Sequence, residues 1–312
     1  MTNFLTVQSS TVDLKAEQVV SFLTDNFAQI IEQFDCHAKT RAKYISDVKS
    51  FIDFVKIEGL NLNTFRQYKR HLEGLTGISA KTKAVKMTAA KRLLQELHSR
   101  YRILTVDLTA GTRNFKTNTE HVKDGLSASE VAKVKAVILK EADDFKRLRL
   151  LSMFNLLALQ GLRQFEVTAL TVEDLRLDDG QALVKGKGRD DREIIDLHPE
   201  TVKALRLYLL TTGQRSGHLF TSISRAAKTR TALTERGVRK LFGQLFAAAG
   251  LPEGRSVHGL RHYFVTRILE VTSGDLLTVQ KFSRHKSLNA VKCYDDRQRK
   301  KDLLPVYYKA FA

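Results

Sequence analysis

Read in chain order, several polar side chains have types and spacings suited to one chemistry. Arg163 has Glu166 three residues on, and Lys187 lies in the glycine-rich turn Val184-Lys-Gly-Lys-Gly. His258 and Arg261 are again three apart, and Tyr294 stands nine residues after His285. Two guanidinium groups can each donate paired hydrogen bonds to the non-bridging oxygens of a phosphate and stabilise charge that builds in a pentacoordinate transition state. A tyrosine hydroxyl can attack phosphorus and form a covalent link, but its free pKa is about 10, so it needs a base or a strongly positive surround. A histidine can take the proton, and a lysine on a turn can return one to a leaving oxygen. The arginines fill the electrostatic role of a metal, so neither metal nor cofactor is expected. The stretch around His258 taken alone supports two readings. Leu260, Phe264, Val265, Ile268 and Leu269 serve packing, which leaves His258 and Arg261 as a polar pair without a packing role. They are part of a site, or they belong to a surface helix whose arginine is held by a carboxylate.

These residues must be positioned by a mainly α chain with a small antiparallel β-sheet. Apolar residues recur at helical spacing over 16–34, and Tyr44, Val48, Phe51, Ile52 and Val55 continue the pattern from a predicted N-cap at Thr40 to a stop at Gly59. Further helices are predicted over 62–75 and 79–101. The last carries Lys81, Lys83, Lys86, Lys91 and Arg92 among Val85, Ala89, Leu93, Leu94 and Leu97, which predicts a basic face backed by an apolar stripe and laid against phosphates. Periodicity is lost near 105–125, so a first domain is expected over 1–107, a linker over 108–125 and a second domain over 126–312. The second opens with Ser127 and Glu130 at capping-box spacing. A buried helix over 149–160 ends at Gly161, and residues 174–197 change period to that of a three-stranded antiparallel sheet. Helices resume over 199–210 and 234–249; Arg236, Arg239 and Lys240 on the latter are phosphate contacts or solvated surface charge, as are Arg225, Lys228 and Arg230 before it.

Composition narrows the partner. The 312 residues carry a formal net charge of +18, which points to a polyanion, with nucleic acid as the default. The basic residues are not grouped on an amphipathic helix with bulky apolar anchors, so a membrane surface is not expected. The longest apolar run, 150–159, is too short to span a bilayer, and the first residues lack the order of a signal peptide. Two cysteines, Cys36 and Cys293, are too few for a disulfide framework. A cytoplasmic, nucleoid-associated protein is expected.

Four segments together resemble the tyrosine recombinases of the phage integrase superfamily, which includes Xer-like and Cre-like enzymes. They are Gly161-Leu-Arg163-Gln-Phe-Glu166, Val184-Lys-Gly-Lys187-Gly, His258-Gly-Leu-Arg261-His262-Tyr-Phe264-Val-Thr266, and His285 followed by Tyr294. The resemblance implies a two-domain C-shaped clamp, a helical core-binding domain followed by a mixed α/β catalytic domain. It implies Tyr294 as nucleophile, with Arg163, Lys187, His258, Arg261 and His285 catalytic and Glu166 and His262 in support. Lys185 is the alternative to Lys187. It further implies a 3′-phosphotyrosyl intermediate and a Holliday junction, a specific site on double-stranded DNA, a homotetramer on two sites and an accessory DNA-bending protein as a further partner. A type IB topoisomerase or a non-catalytic DNA-binding protein on the same scaffold are the rival readings. One departure stands out: the family usually has Leu-Gly before the last histidine, and here Ser283-Arg284 precede His285.

Overall fold

The computed structural model describes residues 16–117, 125–186, 192–222, 231–294 and 308–309. The chain divides into two compact units, Met1–Thr119 and Glu120–Ala312. The first is built from helices α1 (Ala16–Glu32), α2 (Ala38–Glu58), α3 (Thr64–Gly74) and α4 (Ala80–Ser99). Their apolar stripes bury Leu23, Ile31, Val48, Phe51, Val55, Phe65, Leu72 and Leu94 in one core. Local chemistry sets the ends of these helices. Gly59, at φ 73, stops α2, and the Ser79 hydroxyl accepts from the Thr82 N–H to start α4. The predicted Thr40 cap is displaced by three residues, because the His37 side chain takes that role by accepting from the Lys39 N–H.

The expected basic face of α4 does not form. Successive residues turn about 100° around a helix, so Lys81 and Arg92 share one edge, Lys83 and Lys86 face the core side, and Lys91 lies elsewhere. Lys83 donates to the carbonyls of Glu73 and Leu75 at the end of α3, Lys86 donates to Ser50 at 3.1 Å, and the Arg92 guanidinium lies 4.9 Å from the centre of the Phe34 ring. Lys81 and Lys91 are exposed, and so is Val85, which was expected in the apolar stripe. The segment expected as a linker from 108 also differs. Asn114 donates to the Ala84 carbonyl and the Thr88 hydroxyl of α4, and Phe115 packs against the core of the first unit.

The second unit opens with α5 (Ala128–Leu139), whose Ser127–Glu130 capping box is formed, followed by α6 (Asp144–Ala158). Helix α6 is buried nearly all round along its second half, as expected of a helix with no polar stripe. It starts before residue 149 because the Asp143 carboxylate caps it by accepting from the Lys146 N–H. After α7 (Gln164–Ala169) come strands β1 (Leu175–Arg176), β2 (Gln181–Lys185) and β3 (Arg192–Asp196). They pair antiparallel in the order β1-β2-β3, with Leu183 opposite Ile194 and Lys185 opposite Arg192. Helices α8 (Pro199–Thr212), α9 (Glu235–Ala248), α10 (Val257–Val271), α11 (Leu276–Ser283) and α12 (Leu288–Lys292) complete the unit. A main core gathers α5, α6, α8 and α9, while a small separate cluster of Val265, Leu269, Val279 and Val291 holds α10, α11 and α12 together. No helix among the described residues is long and apolar enough to cross a membrane.

Candidate active site

The site forms where three chain segments that are distant in sequence converge. The first is the turn from α6 into α7. Gly161 sits there at φ 60 with the Phe264 ring pressed against it, so both its backbone angle and its lack of a side chain are required. Two residues on, Arg163 occupies the N-cap position of α7. Its backbone N–H donates to Glu166 at 2.7 Å and its guanidinium pairs with the same carboxylate at 2.9 Å. Glu166 is buried and Arg163 is half-buried.

The second segment is α10. Arg261 was expected as a polar residue without a packing role, or as a surface arginine held by a carboxylate. It is not at the surface: at 1% exposure it is the largest fully buried side chain among the described residues. Its guanidinium donates to the carbonyl of Gly161 and, at 2.5 Å, to that of Ser283. One cation thus bolts the α6–α7 turn to the end of α11. Burial, then the neighbouring Arg163, lowers its pKa to about 10, so it stays charged at neutral pH. Beyond the two carbonyls, its Nη2 also lies 3.4 Å from His285 Nε2.

The third segment runs from the end of α11 to Tyr294. Arg284 terminates α11 in the left-handed conformation at φ 56, which in a non-glycine residue costs on the order of 1 kcal/mol. Its buried side chain donates to Glu166 at 2.5 Å, and its carbonyl accepts from Arg163 at 3.4 Å. Glu166 therefore lies between two arginines, and its charge is neutralised. With Arg261 included, three cations face one carboxylate. The Arg284 Nη1 has no hydrogen-bond partner among the described residues.

The turn at Arg284 aims His285 inward. Its Nδ1 lies 2.6 Å from the Ser283 hydroxyl and its Nε2 3.4 Å from Arg261. Burial first, then Arg261 and Arg163, hold its pKa down at about 4, so the ring is neutral at pH 7. Tyr294 follows α12, with its backbone N–H donating to the Val291 carbonyl at 2.9 Å. Its ring is 7% exposed and packs in the α10–α12 cluster, with centroids 4.8 Å from His262 and 5.7 Å from His285. His262 is held by Thr266 at 3.2 Å and by Gly125, which packs so close over the ring that a Cβ there would clash. His258 is exposed in the first turn of α10, near enough for its charge to act on His285.

The structure thus brings together Arg163, Glu166, Arg261, His262, His285 and Tyr294, with His258 beside them. Lys187 lies outside the described residues, as do Arg225, Lys228 and Arg230. Lys185 ends β2, exposed. Arg236, Arg239 and Lys240 are all exposed on one face of α9, opposite the buried Val238 and Phe242. No group of acidic, histidine or cysteine residues among the described ones could hold a metal ion. Ser283, Arg284 and Gly161 are the site residues that sequence reasoning did not place. The signal for two of them was present in the departure Ser283-Arg284.

The comparisons with known proteins give the family and the fold. The model of the phage integrase family matches residues 127–301, more than half of the chain. The chain belongs to the phage integrase family. Among curated relatives it is 34% identical over 158 residues to a tyrosine recombinase of Synechocystis sp., covering 50% of each chain. It is 29% identical to the tyrosine recombinase XerC of Proteus mirabilis, covering 72% of this chain and 70% of that one. The chain spans about half the length of the first curated relatives it matches. Among solved structures, the XerH site-specific recombinase bound to its palindromic difH substrate aligns with a TM-score of 0.72 at 20% identity, over 95% of this chain and 90% of that one. A lambda integrase dimer bound to a core site aligns with a TM-score of 0.67 at 18% identity, over 90% and 96%. At these identities the likeness establishes the fold: mostly helical, with a small three-stranded antiparallel sheet.

Proposed function

We propose that the protein is a site-specific DNA recombinase that cuts and rejoins duplex DNA through a 3′-phosphotyrosyl intermediate. The observation that carries this reading is the packing of the Tyr294 ring against a neutral His285 whose Nε2 faces the buried cation Arg261. A buried tyrosine beside a proton acceptor and an excess of positive charge suits attack on a phosphodiester. Arg163 and Arg261 hold the non-bridging oxygens. The Tyr294 oxygen bonds to phosphorus as the bond to the 5′ oxygen breaks, the phenol proton passes to His285 or His258, and Lys187 protonates the departing 5′ oxygen. Glu166 and His262 orient Arg163 and Tyr294. The free 5′ hydroxyl then attacks the phosphotyrosine of the partner strand, and a second round resolves the Holliday junction.

Residues 126–312 are proposed as the catalytic domain and 1–107 as a core-binding domain, with the exposed Arg236, Arg239 and Lys240 on backbone phosphates. A homotetramer on two sites is supported by one solved lambda integrase structure, a tetramer bound to a Holliday junction; an accessory DNA-bending protein is a further proposed partner. A cytoplasmic, nucleoid-associated location follows from a DNA substrate.

Covalent capture tests this. The protein is incubated with nicked fragments of its own replicon, stripped with SDS, and the DNA that remains attached is sequenced beside Tyr294→Phe. Adducts at one discrete sequence that vanish in the variant are expected. Adducts scattered over all DNA would instead indicate relaxation of the topoisomerase kind, and adducts that persist in the variant would remove Tyr294 as nucleophile.

A further inference from the structure

We propose that Ser283 is a positioning residue that fixes the proton of His285 on Nδ1 and leaves the Nε2 lone pair facing Arg261. The inference rests on the recombinase reading for its kinetic consequence, but not for its geometry. The Ser283 side chain is fully buried, and its hydroxyl lies 2.5 Å from the Val279 carbonyl and 2.6 Å from His285 Nδ1. A carbonyl only accepts, and a hydroxyl has one proton to give. That proton is spent on Val279, so the hydroxyl must accept from the ring, and Nδ1 must carry hydrogen.

The other side of the ring agrees independently. His285 Nε2 is 3.4 Å from an Arg261 Nη2, and a guanidinium is a donor only. A proton on Nε2 would set donor against donor beside a fixed cation. Both contacts therefore demand the same tautomer, and the orientation of a ring nitrogen is commonly decided by what its other nitrogen bonds. Three further contacts fix the backbone that carries the ring. The Gln280 side chain donates to the His285 carbonyl at 3.0 Å, the Ser283 carbonyl holds Arg261, and the Arg284 side chain is tied to Glu166. Leucine at 283 would leave the backbone carbonyl in place but supply no acceptor for Nδ1. The two-residue departure thus works as a unit: Arg284 sets the turn and Ser283 sets the proton.

Threonine and valine separate the hydroxyl from its bulk, since they have nearly the same shape and only threonine can bond both partners. The ring tautomer is read by NMR on protein with 15N-labelled histidine, with His285→Asn assigning the signal, and needs no DNA. Cleavage is read as single-turnover adduct formation on nicked DNA, alongside DNA affinity. Wild type is expected to show protonated Nδ1 and unprotonated Nε2. Ser283→Val should weaken that bias, leaving only the Arg261 contact to hold it, and slow cleavage by about tenfold, a fraction of the 10²–10⁴ typical of a whole acid–base group, with affinity unchanged. Ser283→Thr should rescue both readouts. If the added methyl prevents folding of either, Ser283→Ala against wild type decides in the same way. A wild-type ring protonated on Nε2, or a valine variant that matches the threonine one in tautomer and rate, would overturn the proposal. If wild type forms no adduct while the tautomer is as stated, the recombinase reading fails and the positioning of His285 stands.

Discussion

Each unit of the protein buries a tyrosine within a polar network, and the two networks differ in charge. Tyr68, on α3 of the first unit, is fully buried, and its hydroxyl is 2.8 Å from that of Ser50, which also accepts from Lys86. Burial raises its pKa to about 12, with the Asp47 carboxylate adding in the same direction. Such a phenol is held neutral and cannot become a nucleophile. It serves to tie α2, α3 and α4 together. Tyr294 in the second unit is nearly as buried, but its neighbours are His262, His285 and the Arg261 charge. Burial alone does not separate Tyr68 from the proposed nucleophile Tyr294; the surrounding charge and the presence of a proton acceptor do.

The sharpest way to break this comparison is to remove each hydroxyl. Tyr294→Phe should abolish the covalent adduct while DNA binding persists, and Tyr68→Phe should leave adduct formation within about twofold of wild type; similar loss in both would show that the networks are equivalent. Next in size, Arg261→Ala and Arg163→Ala should each slow cleavage by about 3 kcal/mol or more, by analogy with lost oxyanion donors. The two should part in thermal melts. Arg261 anchors two carbonyls from the interior and its removal should lower the melting temperature clearly, whereas half-buried Arg163 should have a smaller effect. Equal melting temperatures would contradict the bolt assigned to Arg261.

A smaller effect is expected with pH. His285 is held at about 4 in the folded protein against an ordinary value of 6.5, so the unfolded chain binds the proton more readily. Its neutral form is accommodated fully above pH 6.5, and stability should fall as pH drops from there towards 4. Melts of His285→Asn should lack that part of the slope; an unchanged slope would mean the ring is not held neutral. The smallest effect is the stability change of Tyr68→Phe, about 1 kcal/mol for one hydrogen bond, read as a denaturant midpoint.

Much of this was legible along the chain. Ser79, Ser127 with Glu130, and Thr234 mark helix starts because caps act within three residues of themselves, and all are observed as such. The sheet is observed where the apolar period changes. The reading failed where a residue's partner is far away. Lys83 and Lys86 look like a basic face in linear order, yet each finds an acceptor on a neighbouring helix. On α9, by contrast, spacing of three and four residues puts Arg236, Arg239 and Lys240 on one exposed face. Charge density along a sequence is not a surface until the helix is turned and its neighbours are in place.

The sequence by itself determined the helices, the small sheet and which residue types are available for phosphoryl chemistry, because periodicity, caps and turns are local physics. Only the tertiary structure decided that Arg261 lies in the interior, that Glu166 is shared with Arg284, and that Ser283 reaches His285 through a left-handed turn. Those contacts join α6–α7, α10 and the end of α11, and a buried charge can be placed only when every element that desolvates or neutralises it is present at once.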